Sequence, residues 1–468
     1  MTLTGEMAFA ELTEVSAQIQ AGAVSPVALT EAMLERIAAK DGALHSYERL
    51  MPESALAEAA LAEAEIARGV VRGPLHGVPL AVKDLCWTAD APTAAGMALH
   101  RAFMAPEDGT VVARLRAAGA IILGKLAMTE GAYAGYHPHM TVPLNPWDVE
   151  AWPGTSSSGS GAATAAGLCY GSIGSDTGGS IRFPSAANGL TGIKPTWGRV
   201  SRYGAFELGG TLDNLGPMTR SARDAAAMLG VIAGYDAKDP TSLRAAVPDY
   251  LAGIDGGVAG LRIGLAPRWM AEGTDAPAMA AIEEARRALV DLGATMVEID
   301  FPDSQQVLQD WFPLCAVEAA VAHEATFPSR RADYGVILAQ FLDIAADVTA
   351  ADLQKIALRR LAFRGEVEAA MDGIDLLLVP VQGMSGPTMA DILTAAEADP
   401  VIADLLRFSS AFNMTGQPTI TLPAGVTSNG RPVGVQLVGR HLDEALLCRA
   451  GHAFQSVTDW HKRHPRLQ

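Results

Sequence analysis

The first seventy residues carry hydrophobic side chains at the spacing of a helix. Ser25 followed by Pro26 is typical of a helix N-cap with a proline in the first turn. One face of that helix then carries Val27, Thr30, Leu34 and Ile37. An Ala- and Glu-rich stretch over residues 53–68 continues the pattern and ends at Gly69, a typical C-cap residue. We therefore predict that residues 1–70 form an N-terminal helical segment that packs on the core.

The pattern changes after Gly73, where short apolar runs of strand length are separated by glycine and proline. The predicted strands cover residues 78–82, 120–124, 261–265 and 376–379. Helical patterns cover residues 222–232, 277–292 and 351–371. Strands that alternate with helices predict the α/β class. We expect a single catalytic unit over residues 71–468, in which residues 230–360 form a helical elaboration or lid.

Two further predicted strands, residues 419–422 and 433–438, flank Asn429 and Gly430. This dipeptide readily adopts the positive φ angles of a tight turn between antiparallel strands. We predict a hairpin there and place it at the edge of the sheet.

Composition limits the class of protein. The chain has 468 residues, of which 35 are basic and 52 acidic, so its formal net charge is −17. This charge repels polyanions, and no run of basic residues offsets it, so we expect no nucleic-acid partner. The four cysteines form no CxxC pair or zinc-like cluster, which favours reduced thiols. With no secretory signal pattern and no apolar stretch of membrane-spanning length, we expect a cytoplasmic protein without a membrane partner.

Two neighbouring segments, residues 153–167 and 174–202, are unusually rich in glycine and serine. Glycine lets backbone N–H groups approach a reacting atom without a Cβ in the way. Several such groups aimed at one point stabilise an oxyanion, which makes a serine in this tract a candidate nucleophile.

A serine nucleophile needs a base. The ten histidines show no arrangement that marks a triad, and the GxSxG nucleophile motif is absent. A lysine can act instead if burial lowers its pKa from its usual value of about 10.4 towards neutrality. Lys83 ends the apolar run 78–82, so it is the candidate base.

The segments GPLHGVPLAVKDL, GSDTGGSIRFP, GQPTITLPAG and RPVGVQLVGR resemble the sequence blocks of the amidase signature family. The resemblance extends from about residue 10 to residue 450. It implies the amidase signature fold, a large mixed twisted sheet covered by helices on both faces.

The resemblance also implies a catalytic trio. Matched by motif, Lys83 is the base, Ser156 relays the proton from within a cis peptide, and Ser180 is the nucleophile. In place of the family's usual GGSSGG, residues 154–159 read GTSSSG, so Ser157 remains an alternative relay. The implied oxyanion hole consists of the backbone N–H groups of Thr177, Gly178, Gly179 and Ser180. The implied mechanism passes through a Ser-linked acyl or carbamoyl enzyme and requires no metal and no organic cofactor.

Four polar residues near the candidate nucleophile are interpreted as supporting groups. Asp176 and Arg182 flank it and could pair or hold the loop, Ser175 could touch the catalytic groups, and Asp213 is interpreted as structural.

The segment 129–147 resembles the stand-alone and carbamate-cleaving (urethanase) members of the family. The candidate substrate-binding residues are Met128, Thr129, Gly131, Tyr133, Tyr136 and His137, with Trp311, Phe312 and Gln382 as further candidates. Their apolar and aromatic character favours small, partly apolar amides, carbamates or esters as substrates. We expect the protein to be a monomer or a homodimer.

Two other functions stay open. The chain could be the glutaminase component of a tRNA-dependent amidotransferase, which the family also includes. It could also be a binding protein on an inactive hydrolase scaffold, although all three catalytic residue types are present.

Overall fold

The computed structural model describes residues 5–396 and 399–467, and its centre is one mixed sheet of eleven strands. The strands are β1 Tyr47–Leu50, β2 Pro79–Lys83, β3 Ile121–Leu126, β4 Gly171–Asp176, β5 Thr191–Lys194, β6 Asn214–Thr219, β7 Arg262–Leu265, β8 Thr295–Glu298, β9 Leu376–Pro380, β10 Thr419–Val426 and β11 Pro432–Val438. Their order across the sheet is β1-β3-β2-β4-β6-β5-β10-β11-β9-β7-β8.

Sixteen α-helices surround the sheet within the described ranges. They are α1 Gly5–Ala8, α2 Leu12–Gln20, α3 Pro26–Lys40, α4 Pro52–Ala67, α5 Thr110–Ala117, α6 Ser158–Ala165, α7 Arg182–Asn188, α8 Ala222–Ile232, α9 Pro267–Ala271, α10 Ala276–Asp291, α11 Gln305–Ala322, α12 Val336–Asp343, α13 Ala350–Ala370, α14 Met389–Ala396, α15 Asp399–Thr415 and α16 Glu444–Val457. Among the described helices, none has the length and apolar character needed to cross a bilayer.

The sheet is covered on both faces. Every residue of β2, β3, β4 and β6 is buried. Because successive side chains of a strand point to opposite faces, continuous burial requires packing on each side. Strands β2, β3 and β4 pair in parallel, whereas β4, β6, β5, β10, β11 and β9 pair antiparallel. The predicted α/β class and mixed, doubly covered sheet are therefore confirmed.

The N-terminal segment is less uniform than predicted. Ser25 caps α3 as expected, because its Oγ accepts a hydrogen bond from the Ala28 N–H at 3.0 Å, with Pro26 in the first turn. The prediction of an entirely helical segment over residues 1–70 is wrong at β1, which pairs antiparallel with β3 at the sheet edge. Only Tyr47 of this short edge strand is buried, so its sequence lacks the apolar run that marks the inner strands.

Two other placements also differ from expectation. The hairpin of β10 and β11 forms across Asn429 and Gly430, but it lies inside the sheet between β5 and β9 rather than at the edge. Residues 230–360 are not solely helical, because β7 and β8 extend the sheet there. Apolar runs identify strands, but their neighbours depend on packing along the whole chain.

Candidate active site

Lys83 lies at the carboxyl end of β2, and its amine is completely buried beside three serine hydroxyls. Its Nζ donates to Ser156 Oγ at 2.7 Å and to Ser157 Oγ and Ser175 Oγ at 2.9 Å each. Burial lowers the pKa of the amine from 10.5 to about 7, although the negative charges of nearby groups oppose the shift. An amine with that pKa can hold or release a proton near neutral pH.

The two candidate relay serines have different surroundings. Ser157 Oγ donates to the Ser175 carbonyl and accepts from the Ser175 N–H, both at 3.2 Å, so its own proton is already used. Ser156 Oγ accepts from Lys83 and has no other hydrogen-bond partner in the described part of the chain. The peptide bond between Thr155 and Ser156 is cis, the conformation that the family resemblance implied. Ser156 therefore has a proton available for transfer.

Asp176 ends β4 and organises the turn that follows, residues 177–181, which we call the glycine loop. Its carboxylate forms a two-pronged ion pair with Arg182, with Oδ2 3.0 Å from Nε and Oδ1 2.8 Å from Nη2. The expected pairing is present, and both side chains are fully buried. The same carboxylate accepts the Gly179 N–H at 2.9 Å and the Ile181 N–H at 3.1 Å.

These bonds refine the predicted oxyanion hole. The Gly179 N–H is directed to Asp176, so it is not free for a substrate in this conformation. The N–H groups of Thr177, Gly178 and Ser180 donate to no acceptor within the described residues. A Cβ on Gly178 would lie 2.7 Å from the Trp311 ring, and Gly179 has a φ of +139°, so both positions require glycine.

Ser180 follows these N–H groups and is partly exposed, whereas its neighbours on both sides are buried. In the part of the chain that the structure describes, its hydroxyl makes no hydrogen bond, including none to Ser156. Catalytic hydrogen bonds often tighten only when substrate binds, so this open contact leaves the relay role a prediction.

The candidate substrate segment after β3 lies beside Ser156, the candidate relay serine. The Thr129 N–H donates to the Ser156 carbonyl at 3.3 Å, and Met128 and Thr129 are buried. Gly131 has a positive φ of 55°, and the Tyr133 ring stacks on Phe341 of α12 at 3.7 Å between centroids. Burial raises the pKa of the Tyr136 hydroxyl, which lies near Ser158.

Three of the remaining candidates serve other contacts. Trp311 does not point its polar edge at an open pocket, because its Nε1 donates to the Thr177 carbonyl at 2.9 Å. His137 accepts the His139 N–H at 3.1 Å, and Gln382 donates to the Met384 carbonyl at 2.6 Å. Phe312 is partly buried and packs against the core.

Some residues at the site were not anticipated. Ser409 Oγ donates to the Gly178 carbonyl at 2.6 Å, and Asn413 Nδ2 donates to the Asp176 carbonyl at 3.1 Å. Both lie on α15, four residues apart and therefore on one helix face. Their spacing was the only sequence signal, and it does not indicate which loop they meet.

Comparison with known proteins gives one consistent result. The family model Amidase matches residues 28–448. AmiD of Mycobacterium tuberculosis, whose name assigns it provisionally to the amidases, is 48% identical over 463 residues, which cover 97% of this chain and 95% of that protein. A glutamyl-tRNA(Gln) amidotransferase subunit of Chloroflexus aggregans is 35% identical over 489 residues, 99% of each chain. The crystal structure of a peptide amidase from Stenotrophomonas maltophilia superposes with a TM-score of 0.86 at 31% identity, covering 98% of both chains.

Proposed function

Since the chain belongs to the amidase signature family of amide hydrolases, we propose that it cleaves small amides or carbamates through a covalent intermediate on Ser180. The observation that carries the proposal is the 2.7 Å contact between the buried Lys83 amine and Ser156 Oγ. It lies beside the glycine loop, where three N–H groups have no acceptor among the residues that the structure describes. The family match over residues 28–448 includes all of these groups.

In the proposed acylation step, neutral Lys83 accepts a proton from Ser156, which takes one from Ser180 as Ser180 Oγ attacks the substrate carbonyl. The N–H groups of Thr177, Gly178 and Ser180 stabilise the oxyanion. The proton then returns through the relay to the departing nitrogen, which would otherwise be a poor leaving group. The products of this step are a free amine and an ester on Ser180.

Water completes the cycle. The relay removes a proton from water as it attacks the Ser180 ester. The proton returns to Ser180 Oγ when the carboxylic acid, or the carbonic acid monoester from a carbamate, leaves. A neutral base is required in both half-reactions, so the low pKa of Lys83 supports this assignment.

The substrate class is proposed from the segment that follows β3, in which the Thr129 N–H contacts the Ser156 carbonyl. Met128 offers a buried apolar surface, and the stacked Tyr133 and Phe341 offer an aromatic one. Both favour a substrate with an apolar or aromatic acyl or amine group, and aryl carbamates and esters fit the same chemistry. We place this activity in the cytoplasm, in a monomer or homodimer.

The test uses the isolated full-length protein with N-acyl p-nitroanilides, aryl carbamates and glutamine. We expect release of p-nitroaniline and labelling by a fluorophosphonate, both lost in Ser180→Ala. A matched control, Ser456→Ala, changes an exposed serine on α16 and should leave both signals intact. Turnover by the Ser180→Ala protein at the wild-type rate would refute the proposal.

A second candidate is the glutaminase component of an amidotransferase, supported by the 35% identity to the Chloroflexus aggregans protein. Such a component releases ammonia from glutamine within a complex. Ammonia release from glutamine without p-nitroanilide turnover would favour this role, whereas the reverse pattern favours the stand-alone enzyme.

A further inference from the structure

Helix α11 belongs to the region predicted as a lid, but it contacts the glycine loop directly. The Trp311 indole donates from Nε1 to the Thr177 carbonyl at 2.9 Å. The same ring covers Gly178 so closely that a Cβ there would lie 2.7 Å from Cζ2. Trp311 is 5% exposed, so water does not compete strongly for this bond.

The neighbouring carbonyls of the loop are held in the same way. Asn413 donates to the Asp176 carbonyl, Ser409 donates to the Gly178 carbonyl, and the Phe183 N–H donates to the Gly179 carbonyl at 2.7 Å. Four consecutive carbonyls therefore have fixed donors. Because each peptide unit is planar, fixing a carbonyl also fixes the direction of the N–H on the next residue.

That geometry assigns a specific consequence to Trp311. The Thr177 carbonyl shares its peptide plane with the Gly178 N–H, one of the three N–H groups that donate to nothing within the described residues. The geometry points to Trp311 as a positioning residue, which holds the Thr177–Gly178 peptide so that the Gly178 N–H faces the reacting oxygen. This inference rests on the proposed function and adds a role for α11 to it.

A second contact from α11 supports the assignment. Glu318 accepts the Thr211 N–H at 2.9 Å and its hydroxyl at 2.6 Å. The adjacent turn directs the Gly209 N–H to Asp213, which accepts the Thr177 hydroxyl at 2.5 Å. Helix α11 thus contacts Thr177 directly at its carbonyl and also holds Thr211 in the turn before Asp213, the residue that accepts the Thr177 hydroxyl.

The test is Trp311→Phe, which removes the indole N–H and keeps an aromatic ring over Gly178. We expect kcat for a p-nitroanilide to fall about 10- to 100-fold, because oxyanion stabilisation acts in the transition state, while KM stays within about threefold. Affinity for a trifluoromethyl ketone, which adds to a serine and forms an oxyanion, should fall by a similar factor. The matched control is Trp269→Phe, which removes an indole bond to Ser304 Oγ at 3.1 Å and should change neither value.

Unchanged kcat in a folded Trp311→Phe protein would overturn the inference, as would a lower kcat with unchanged ketone affinity. If this variant does not fold, replacing Trp311 with 3-benzothienylalanine, which keeps the shape of the ring and lacks the N–H, tests the same bond to the Thr177 carbonyl. Unchanged kcat and ketone affinity there would overturn the inference equally. Ser180→Ala separates the two proposals: if Ser180→Ala is inactive and Trp311→Phe matches the wild type, only this inference fails. Activity in Ser180→Ala would instead refute the proposed function.

Discussion

Replacing Lys83 with Met should abolish amide hydrolysis and at the same time stabilise the fold. The wild-type side chain is completely buried and its pKa is lowered from 10.5 to about 7, so folding releases a proton that the unfolded chain holds at neutral pH. Methionine fills a similar volume without a charge. The variant should therefore avoid the free-energy cost of burying the amine.

The magnitude follows from the pKa shift. At pH 7.5 a lowering from 10.5 to about 7 costs about 4 kcal/mol of folding free energy, at about 1.4 kcal/mol per pH unit. Against this, Ser156, Ser157 and Ser175 lose a charged or polar partner, at a cost of about 1–3 kcal/mol in total for hydroxyls that can reorient. We expect Lys83→Met to be more stable than the wild type by about 1–3 kcal/mol.

The pH dependence gives the sharper measurement. Between pH 7 and 10.5 the unfolded lysine binds a proton and the folded lysine does not, so wild-type stability rises with pH by about 1.4 kcal/mol per unit from this group. Below about pH 7 both states are protonated and the contribution is constant. Lys83→Met lacks this slope, so its advantage should shrink as pH rises.

The assay is urea unfolding followed by tryptophan fluorescence at several pH values between about 7.5 and 9.5. Lys194→Met is the matched control, because burial also lowers the pKa of Lys194 to about 7 but its amine, within the described ranges, donates to the Pro195 carbonyl alone. It should show the same pH trend and keep fluorophosphonate labelling of Ser180. Stability differences between wild type and Lys83→Met that do not vary with pH would refute the reasoning.

Three further expectations concern the same site. For the wild type, kcat/KM should rise about tenfold per pH unit below about pH 7 and level off above it as Lys83 loses its proton, and a flat profile from pH 6 to 9 with rate-limiting chemistry would contradict a lysine base. Asp176→Asn leaves a fully buried arginine without its charged partner and should destabilise the fold by about 3–5 kcal/mol in urea unfolding, so a loss below about 1 kcal/mol would count against the ion pair. Gly178→Ala should lower kcat at least about tenfold, because the new Cβ displaces the loop from an indole ring 2.7 Å away. Gly365→Ala, on an open face of α13, is its control and should retain wild-type kcat.

Much of the local structure could be predicted from the sequence. The cap at Ser25 and the bounds of α8 follow from caps and hydrophobic period, and the apolar run ending in Lys83 marks β2. These features depend on neighbours in the chain, so a short window contains their cause. The family blocks added the expected trio, and the structure brings Lys83 and Ser156 together, with the contact to Ser180 left as a prediction.

Other features depend on residues far apart in the chain. The sequence by itself determined the strand character of β10 and β11 and the hairpin turn between them, but only the tertiary structure placed them inside the sheet. The sequence likewise determined that Trp311 is apolar and suited to burial. The fold decided that its indole N–H donates to the Thr177 carbonyl, 134 residues away. Hydrophobic period shows which face of an element is buried. The surface that covers that face is chosen by packing all elements at once, because the buried polar groups must find their hydrogen-bond partners in the same arrangement.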